Sequence, residues 1–401
     1  MQLRARLFGI GVAALAGIPL AVLGPAGASH AATKAAQPAQ KTAHSCATSK
    51  PGFASCKAIV RTDIVQANKV SPNATPSGYG PSSLQSAYNL PSATAGAGRT
   101  VAIVDAYDDP TAEADLGVYR AQFGLPACTT ANGCFSKVSQ TGGTTYPKKD
   151  GGWAQEISLD LDMVSAICPN CHILLVEAKT SSFANLGAAV NQAAKTPGVV
   201  AISNSYGGSD ASDASYGSYY NHPGIAVTAS SGDNGYGASY PASSHYVTAV
   251  GGTTLNTASN TRGWTETAWS GAGSGCSAYN TALSGAASFG TGCAKRAEAD
   301  VSAVANPSTG VAVYDSTAYQ GYVGWMVFGG TSVSSPVIAS VFALAGNTGS
   351  IDNNYPYTHA SSLNDVTSGS NGSCTTSQWC NARAGWDGPT GLGTPNGVGA
   401  F

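Results

Sequence analysis

Short apolar runs alternate with longer helical patterns along most of the chain. Apolar runs bounded by glycine or polar residues predict buried strands over 100–105, 172–177, 199–203, 225–229 and 246–250. The segments with helical patterns are 82–89, 111–123, 153–167, 183–194 and 216–221. Strands that alternate with helices in this way indicate a largely parallel sheet covered by helices on both faces, an α/β fold. Ligands usually bind such sheets beyond the carboxyl ends of the strands.

The N-terminal residues have a different pattern. Arg4 and Arg6 precede a mostly apolar stretch over residues 7–23, and small residues follow it. This order is typical of a secretory signal peptide, which we place at residues 1–32, with a single membrane anchor as the alternative. We therefore expect a secreted, extracellular protein without membrane contact once the signal is removed.

Residues 33–78 are rich in Ala, Thr, Ser, Pro and Lys and show little periodicity. This composition predicts a short, loosely ordered N-terminal arm. The compact pattern begins at Tyr79, so we predict one large domain over residues 79–401. A chain of this length can bury a substantial core in a single domain.

Charged residues are scarce, at 10% of the 401 residues, against about 25% in ordinary globular domains. The formal net charge is −2 and the sequence pI is about 6.3. A nucleic-acid partner is therefore not expected. Because few groups gain charge as the pH falls, the composition is also compatible with an acidic environment.

The ten cysteines are an even number and suit an oxidising compartment. They fall in close pairs, for which five local disulfides are the simplest connectivity. The pairs are Cys46/Cys56, Cys128/Cys134, Cys168/Cys171, Cys276/Cys293 and Cys374/Cys380. A redox pair or half of a zinc site is the alternative for the Cys-Pro-Asn-Cys segment that contains Cys168 and Cys171.

Two carboxylates on one predicted helix form the first candidate site. Glu156 and Asp160 lie four residues apart and therefore share a helix face. Two neighbouring carboxylates do not both ionise cheaply, so the pair can hold one proton and accept another from a serine hydroxyl in mild acid. A solvated helix face is the alternative, and Asp162 is expected to be its surface member.

Two further motifs carry candidate chemistry. Gly330-Thr331-Ser332 opens an apolar helical segment and places a hydroxyl at a helix N-terminus, where the dipole favours a developing negative charge. Asp233 follows a buried strand and stands in a Gly-rich turn. When protonated, its carboxyl could donate a hydrogen bond to an oxyanion, although a turn-capping role is the alternative.

The C-terminal loops contain Asp365-Val366 and, further on, Arg383-Ala384-Gly385-Trp386-Asp387. Two aspartates in Gly-rich loops with exposed carbonyls suit a hard, oxygen-seeking cation such as calcium. Alternate residues 383, 385 and 387 can point to one side of an extended loop. Loop acids without a metal are the alternative.

Taken together, these motifs resemble the sedolisin family of serine-carboxyl peptidases. The resemblance extends from Tyr79 to the C-terminus and rests on motifs that occur in family order. They are Glu156-Ile157-Ser158-Leu159-Asp160, Ser231-Gly232-Asp233, Gly330-Thr331-Ser332 with Pro336, and Asp365-Val366 with Gly385-Trp386-Asp387. The resemblance implies a subtilisin-like three-layer fold with a largely parallel central sheet flanked by helices.

Carried over residue by residue, the resemblance makes Ser332 the nucleophile and Glu156 its general base. It gives Asp160 the role of supporting Glu156, and Asp233 that of a protonated oxyanion donor.

The resemblance also implies one structural Ca²⁺ ion. Its ligands would be the side chains of Asp365 and Asp387 and the carbonyls of Val366, Arg383 and Gly385. The family usually has glycine at the position of Arg383, a change that a carbonyl ligand tolerates.

A Ser-His-Asp site of subtilisin type is the competing arrangement, in which Asp105 at the end of the first predicted strand would orient a histidine. None of the six histidines lies in the Gly-Thr-His context that subtilisins use, so this arrangement is not favoured. The histidines are His30, His44, His172, His222, His245 and His359.

The predicted function is therefore a secreted, acid-active endopeptidase that acts on proteins or peptides through an acyl-enzyme on Ser332, as a monomer. Typical family members have a long folded prosegment, and the short arm at 33–78 predicts a branch without one. A catalytically inactive binding or structural protein with the same fold is the alternative function. The choice between endopeptidase and tripeptidyl-peptidase action stays open.

Overall fold

A central eight-stranded sheet organises the protein in the computed structural model, which describes residues 41–64, 76–347 and 353–401. In chain order the strands of the described residues are β1 (Thr42–His44), β2 (Ser55–Cys56), β3 (Ile59–Arg61), β4 (Thr100–Ala106), β5 (Phe135–Ser139), β6 (His172–Ala178), β7 (Val199–Asn204), β8 (Tyr206–Ser209), β9 (Ala226–Ser230), β10 (Ser239–Tyr240), β11 (Thr248–Thr257), β12 (Trp264–Ala268), β13 (Gly275–Cys276), β14 (Ala297–Glu298), β15 (Val301–Val304), β16 (Val311–Tyr319), β17 (Tyr322–Gly329), β18 (Leu363–Asn364) and β19 (Thr394–Pro395). The α-helices are α1 (Pro81–Ala87), α2 (Ala112–Gln122), α3 (Gly151–Ile167), α4 (Phe183–Lys195), α5 (Asp213–Tyr216), α6 (Ser284–Ala287), α7 (Thr331–Ala345) and α8 (Tyr355–Thr358). Short 3₁₀ turns occur at Gly217–Tyr219, Pro307–Thr309, Ala360–Ser362 and Ser377–Trp379.

The central sheet is largely parallel. Its order is β12-β11-β9-β7-β4-β6-β5, and β15 also pairs with β11. Only β12, at one edge, runs antiparallel to its neighbour; the other pairings are parallel. The predicted fold class is therefore confirmed.

Helices cover both faces of this sheet because successive side chains of a strand point in opposite directions. In β4, Val101 and Ile103 join the core beneath α3 and α7, whereas Ala102 and Val104 join the core beneath α4. The result is the three-layer arrangement that the buried strands require. It also places α3 and α7 side by side, and these two helices carry most of the candidate site.

Helix α7 is apolar on all sides and is enclosed by the protein. It begins after Gly330, whose φ of 95° lies in the region that favours glycine. It ends at Gly346, which adopts the left-handed conformation typical of a helix C-terminus. Pro336 lies inside the helix and has no N–H, so the carbonyl of Ser332 is released from the helical ladder.

Several predicted boundaries differ from the observed ones. The sequence pattern did not indicate the hairpin of β16 and β17, which leads directly into α7. The helix predicted over 216–221 is instead the short α5 followed by a 3₁₀ turn. The last predicted strand, 246–250, begins at Thr248 and continues to Thr257 as β11.

The prediction of a loosely ordered arm over residues 33–78 is wrong for the part that the structure describes. Strands β1 and β3 pair with each other, and β3 pairs with β17. Ala58 and Val60 are buried in the core because they pack as an added layer of strands.

All five predicted disulfides are present: Cys46–Cys56, Cys128–Cys134, Cys168–Cys171, Cys276–Cys293 and Cys374–Cys380. The redox and zinc alternatives for the Cys168 segment are therefore not needed. The predicted signal peptide, residues 1–32, lies outside the described residues. No helix within the described ranges is both long and apolar enough to cross a membrane.

Candidate active site

Helix α3 carries two carboxylates into the protein interior. Asp150 caps the helix by accepting hydrogen bonds from the N–H groups of Gly152 and Trp153. One turn apart further along, Glu156 and Asp160 are both fully buried. Glu156 Oε2 accepts the N–H of Ala58 at 2.9 Å, whereas Glu156 Oε1 has no hydrogen-bond partner among the described residues.

Asp105, at the end of β4, is a third buried carboxylate in this cluster. Neither of its oxygens has a hydrogen-bond partner within the described part of the chain. Burial raises the pKa of Asp105 to about 8. Burial, and next the charge of Asp105, raise the pKa of Glu156 and of Asp160 well above their usual range. The cluster therefore holds protons at pH values where isolated carboxyls would have lost them.

Ser332 lies in the first turn of α7 and is also buried. Its hydroxyl donates to the carbonyl of Ser205 at 3.2 Å, and it lies close enough to Glu156 to lower the pKa of that carboxyl. The Ser205 hydroxyl donates to Asp160 Oδ1 at 2.8 Å and contacts the Ser332 carbonyl that Pro336 leaves free. Ser205 thus connects the nucleophile helix to the carboxylate pair.

Asp233 follows β9 and faces the N-terminus of α7. Its Oδ1 accepts the N–H of Thr331 at 2.7 Å and the Thr331 hydroxyl at 2.9 Å. Its Oδ2 has no partner among the described residues. Burial raises the pKa of Asp233, opposed by the positive charge of Lys57 and the two hydrogen bonds from Thr331. A protonated Oδ2 would be a free hydrogen-bond donor beside Ser332.

The structure thus brings Glu156, Asp160, Asp233 and Ser332 together from three separate elements. None of the five histidines within the described residues forms a hydrogen bond with Ser332. A hydroxyl beside a proton-sharing carboxylate pair, with a carboxylic acid on the other side, can perform acyl transfer in acid.

Sequence reasoning misplaced Asp162 and overlooked Ser205. Asp162 is buried rather than exposed, because α3 is enclosed on every side, and it accepts the N–H of Tyr314. Ser205 lies in the link between β7 and β8, where nothing in the sequence distinguishes it from other serines.

A second group of buried acids was also not predicted. Asp109, Asp115 and Asp315 have carboxylate oxygens within 4.8 Å of one another and could bind a metal ion. They come from three distant parts of the chain, so no local spacing identified them.

The predicted calcium ligands also converge. Asp365 Oδ2 accepts the N–H of Gly385 at 2.9 Å, and Asp387 Oδ2 accepts the N–H of Arg383 at 3.1 Å. Burial, and the neighbouring charge of Asp365, raise the pKa of Asp387 to about 7. Neither carboxylate forms an ion pair in the described ranges, and the Arg383 guanidinium donates instead to Gln378. Two uncompensated carboxylates in adjoining loops, one of them buried beside Val366, fit a hard cation.

Comparison with known proteins follows from this geometry. The chain is 29% identical to kumamolisin of Bacillus sp. (strain MN-32) over 375 residues, which is 82% of this chain and 64% of that protein. It is 28% identical to sedolisin of Pseudomonas sp. (strain 101) over 366 residues, 80% of this chain and 60% of that protein. This chain therefore spans less than two thirds of the length of either relative. No protein-family model matches the sequence.

Solved structures agree with the sequence comparison. The structure of Pseudomonas sedolisin, described as a serine-carboxyl proteinase complexed with two molecules of pseudo-iodotyrostatin, matches with a TM-score of 0.67 at 26% identity. That match covers 80% of this chain and 96% of the other. Fervidolysin from Fervidobacterium pennivorans, described as related to subtilisin, matches at a TM-score of 0.50 and 15% identity over 90% of this chain and 50% of its own, a likeness of fold only.

Proposed function

Because this chain belongs to the sedolisin family, we propose that it is a secreted serine-carboxyl peptidase that hydrolyses peptide bonds in acid. The observation that carries the proposal is the convergence of Ser332, Glu156, Asp160 and Asp233 in one buried cluster. The positive start and apolar stretch of residues 1–32 support secretion, and the single compact domain supports action as a monomer.

In the proposed mechanism, the Ser332 hydroxyl attacks the carbonyl carbon of the substrate while Glu156 accepts its proton. Asp160 and Asp105 raise the pKa of Glu156, so that the carboxyl is a competent base and then a competent acid. Protonated Asp233 donates through Oδ2 to the oxyanion. Glu156 then returns the proton to the leaving amine, and water hydrolyses the acyl-enzyme by the same steps in reverse.

Acid is required because Asp233 must carry a proton in order to donate. As the pH rises through its pKa, Asp233 becomes an anion and repels the developing oxyanion. Activity should therefore fall on the alkaline side, and the buried Glu156 and Asp160 should lose their shared proton in addition.

Cleavage of a denatured protein by purified enzyme across the acidic and neutral pH range tests this proposal. Ser332→Ala should reduce turnover to background. Ser334→Ala is the matched control on the same helix, because its hydroxyl donates only to the carbonyls of Ala303 and Val304. An active Ser332→Ala protein would refute the mechanism, whereas an inactive wild-type protein would favour the binding or structural alternative.

The proposal includes one structural Ca²⁺ ion in the C-terminal loops. Asp365 and Asp387 would hold it with their carboxylates, assisted by the carbonyls of Val366, Arg383 and Gly385. A bound cation there would neutralise two acids that otherwise repel each other and would fix the loops. A chelator should lower the thermal unfolding midpoint of the wild-type protein. Asp387→Asn should unfold at the same temperature with and without the chelator.

A further inference from the structure

Residues 41–61 lie across the candidate active site. Strands β1 and β3 form an antiparallel pair, and the Cys46–Cys56 disulfide closes the loop between them. Between these strands, β2 and the two residues after it pass directly in front of Ser332, Glu156 and Asp233. The contacts of this segment are those of a bound peptide.

On one side of the nucleophile, the segment adds a strand to the wall of the site. Ser55 and Cys56 pair antiparallel with Gly207 and Tyr206 of β8. On the opposite edge, the N–H of Ala54 donates to the carbonyl of Ser181 at 2.8 Å. Addition of an extended strand to an exposed edge is a general mode of peptide recognition, in which main-chain hydrogen bonds provide affinity without regard to side chains.

At the centre, Lys57 occupies the position of a reacting residue. Its N–H donates at 3.1 Å to the carbonyl of Ser205, which also accepts the Ser332 hydroxyl. Its carbonyl oxygen lies against Gly330, where a β-carbon would overlap it and would stand 3.1 Å from Asp233 Oδ2. The Lys57 carbonyl and the unpartnered Oδ2 of Asp233 therefore face the same point.

The following peptide nitrogen meets the proposed base. The N–H of Ala58 donates to Glu156 Oε2 at 2.9 Å. Beyond it, Ile59 and Val60 pair with Gly329 and Phe328 at the end of β17, immediately before the nucleophile turn. The Lys57–Ala58 peptide bond thus has its carbonyl beside the oxyanion donor and its nitrogen on the general acid.

From these contacts we infer that residues 41–57 are a built-in, substrate-like blocking segment and that the enzyme cleaves its own Lys57–Ala58 bond. This inference rests on the proposed peptidase function and identifies how the same site is regulated. Ser332 Oγ bonds to the Lys57 carbonyl carbon, the C–N bond to Ala58 breaks, and the Ser332 proton passes through Glu156 to the Ala58 nitrogen. Water then hydrolyses the ester, leaving a carboxylate on Lys57.

The disulfides allow the cleaved segment to depart. Cys46 and Cys56 both precede the Lys57–Ala58 bond, and the other four disulfides all follow it. After cleavage, no disulfide joins the two products. The blocking segment is then held only by non-covalent contacts, and a substrate can replace it.

The test follows chain integrity and activity in the same sample. Purified full-length protein is incubated at about pH 4, where the acidic mechanism operates, and at neutral pH. Intact mass and N-terminal sequencing detect a new terminus at Ala58, while a separate fluorogenic peptide reports activity. Cleavage should accompany a rise in peptide turnover of at least about tenfold, because an intramolecular occupant acts at an effective concentration of about millimolar. Ser332→Ala should remain uncut.

Two further measurements separate blocking from cleavage. Ala58→Pro removes the N–H that Glu156 accepts and should leave the bond intact and the turnover low. If that variant does not fold, an oxidised synthetic peptide of residues 41–64 added to processed enzyme should compete with substrate. The double variant Cys46→Ser/Cys56→Ser should shorten the lag before activity appears, whereas Cys128→Ser/Cys134→Ser, which opens a disulfide loop away from the segment, should not.

The outcomes distinguish this inference from the peptidase proposal. Full activity on the external peptide with Lys57–Ala58 intact would overturn the blocking segment and leave the peptidase standing. Absence of both external cleavage and self-cleavage would instead contradict the peptidase proposal on which the inference rests. A synthetic segment that fails to compete would overturn the blocking role even where the bond is cut.

Discussion

At the scale of single residues, the candidate site depends on which carboxyls hold protons. Asp233 illustrates this, because one of its oxygens is fixed by Thr331 and the other is free to act. Burial raises its pKa, so the free oxygen can carry the proton that an oxyanion requires. The role of Asp233 is therefore a matter of environment more than of residue type.

Substitution of Asp233 separates its two parts. Asp233→Ala should reduce turnover by about 10² to 10³, the usual effect of losing one oxyanion donor. Asp233→Asn should retain more activity, because the amide oxygen can still accept from Thr331 while the NH₂ group donates at every pH. Its pH profile should extend further to the alkaline side than that of the wild type. Equal losses in both variants, with unchanged profiles, would contradict the donor role.

Asp105 acts on the site through charge, since neither of its oxygens bonds to a described residue. Asp105→Asn removes a like charge that raises the pKa of Glu156 and of Asp160. The acidic limb of the kcat/KM profile should therefore move to lower pH. Asp162→Asn, on the same helix and equally buried, is the control and should leave the limb in place. A uniform loss of activity without a shift would indicate a structural role only.

At the scale of elements, α3 and α7 set the positions of the reacting groups. Helix α3 is buried along its length because its sequence is apolar around Glu156 and Asp160, and α7 is apolar on all sides. Two enclosed helices side by side hold their polar side chains more rigidly than loops would, which favours fixed geometry at the site.

The N-cap of α3 offers a test of this support. Asp150→Ala removes the acceptor for two N–H groups and a favourable charge at the positive end of the helix. It should lower the free energy of unfolding by about 1 kcal/mol. Asp150→Ser keeps a capping oxygen and should lose only part of this. Chemical denaturation of the three proteins measures the difference, and equal stability of Ala and Ser variants would argue against the cap.

At the scale of the whole molecule, many buried acids make stability depend on pH. Burial raises the pKa of Asp109 to about 6 and those of Asp105 and Glu177 to about 8. In the unfolded chain these carboxyls have pKa values of about 4. Between the unfolded and folded values the native state binds more protons, so stability falls as the pH rises.

The thermal unfolding midpoint should therefore be highest at about pH 4 and should decline towards about pH 8. Scanning calorimetry at constant ionic strength measures this trend. Asp109→Asn should flatten the part of the curve below about pH 6 and leave the upper part unchanged. A midpoint that rises from acidic to neutral pH would show that other groups dominate the titration.

Sequence and structure contributed differently at each scale. Glu156 and Asp160 could be identified because helical spacing puts them on one face, and the ten cysteines because close pairs form short loops. The buried strands could be identified because strands covered on both faces are apolar throughout. The hairpin of β16 and β17 escaped detection, since its pattern is mixed and its partners lie far away in the chain.

What the sequence by itself determined is local: the alternation of strands and helices, the cysteine pairs and the motifs that carry candidate chemistry. Periodicity and short spacings encode these because they depend on neighbours in the chain. Only the tertiary structure decided what surrounds each group, such as the burial of Asp162 and the meeting of Asp105 with Glu156. It also placed Lys57 and Ala58, which the sequence assigned to a loose arm, in front of Ser332. Such contacts join residues far apart in the chain, and no local pattern specifies them.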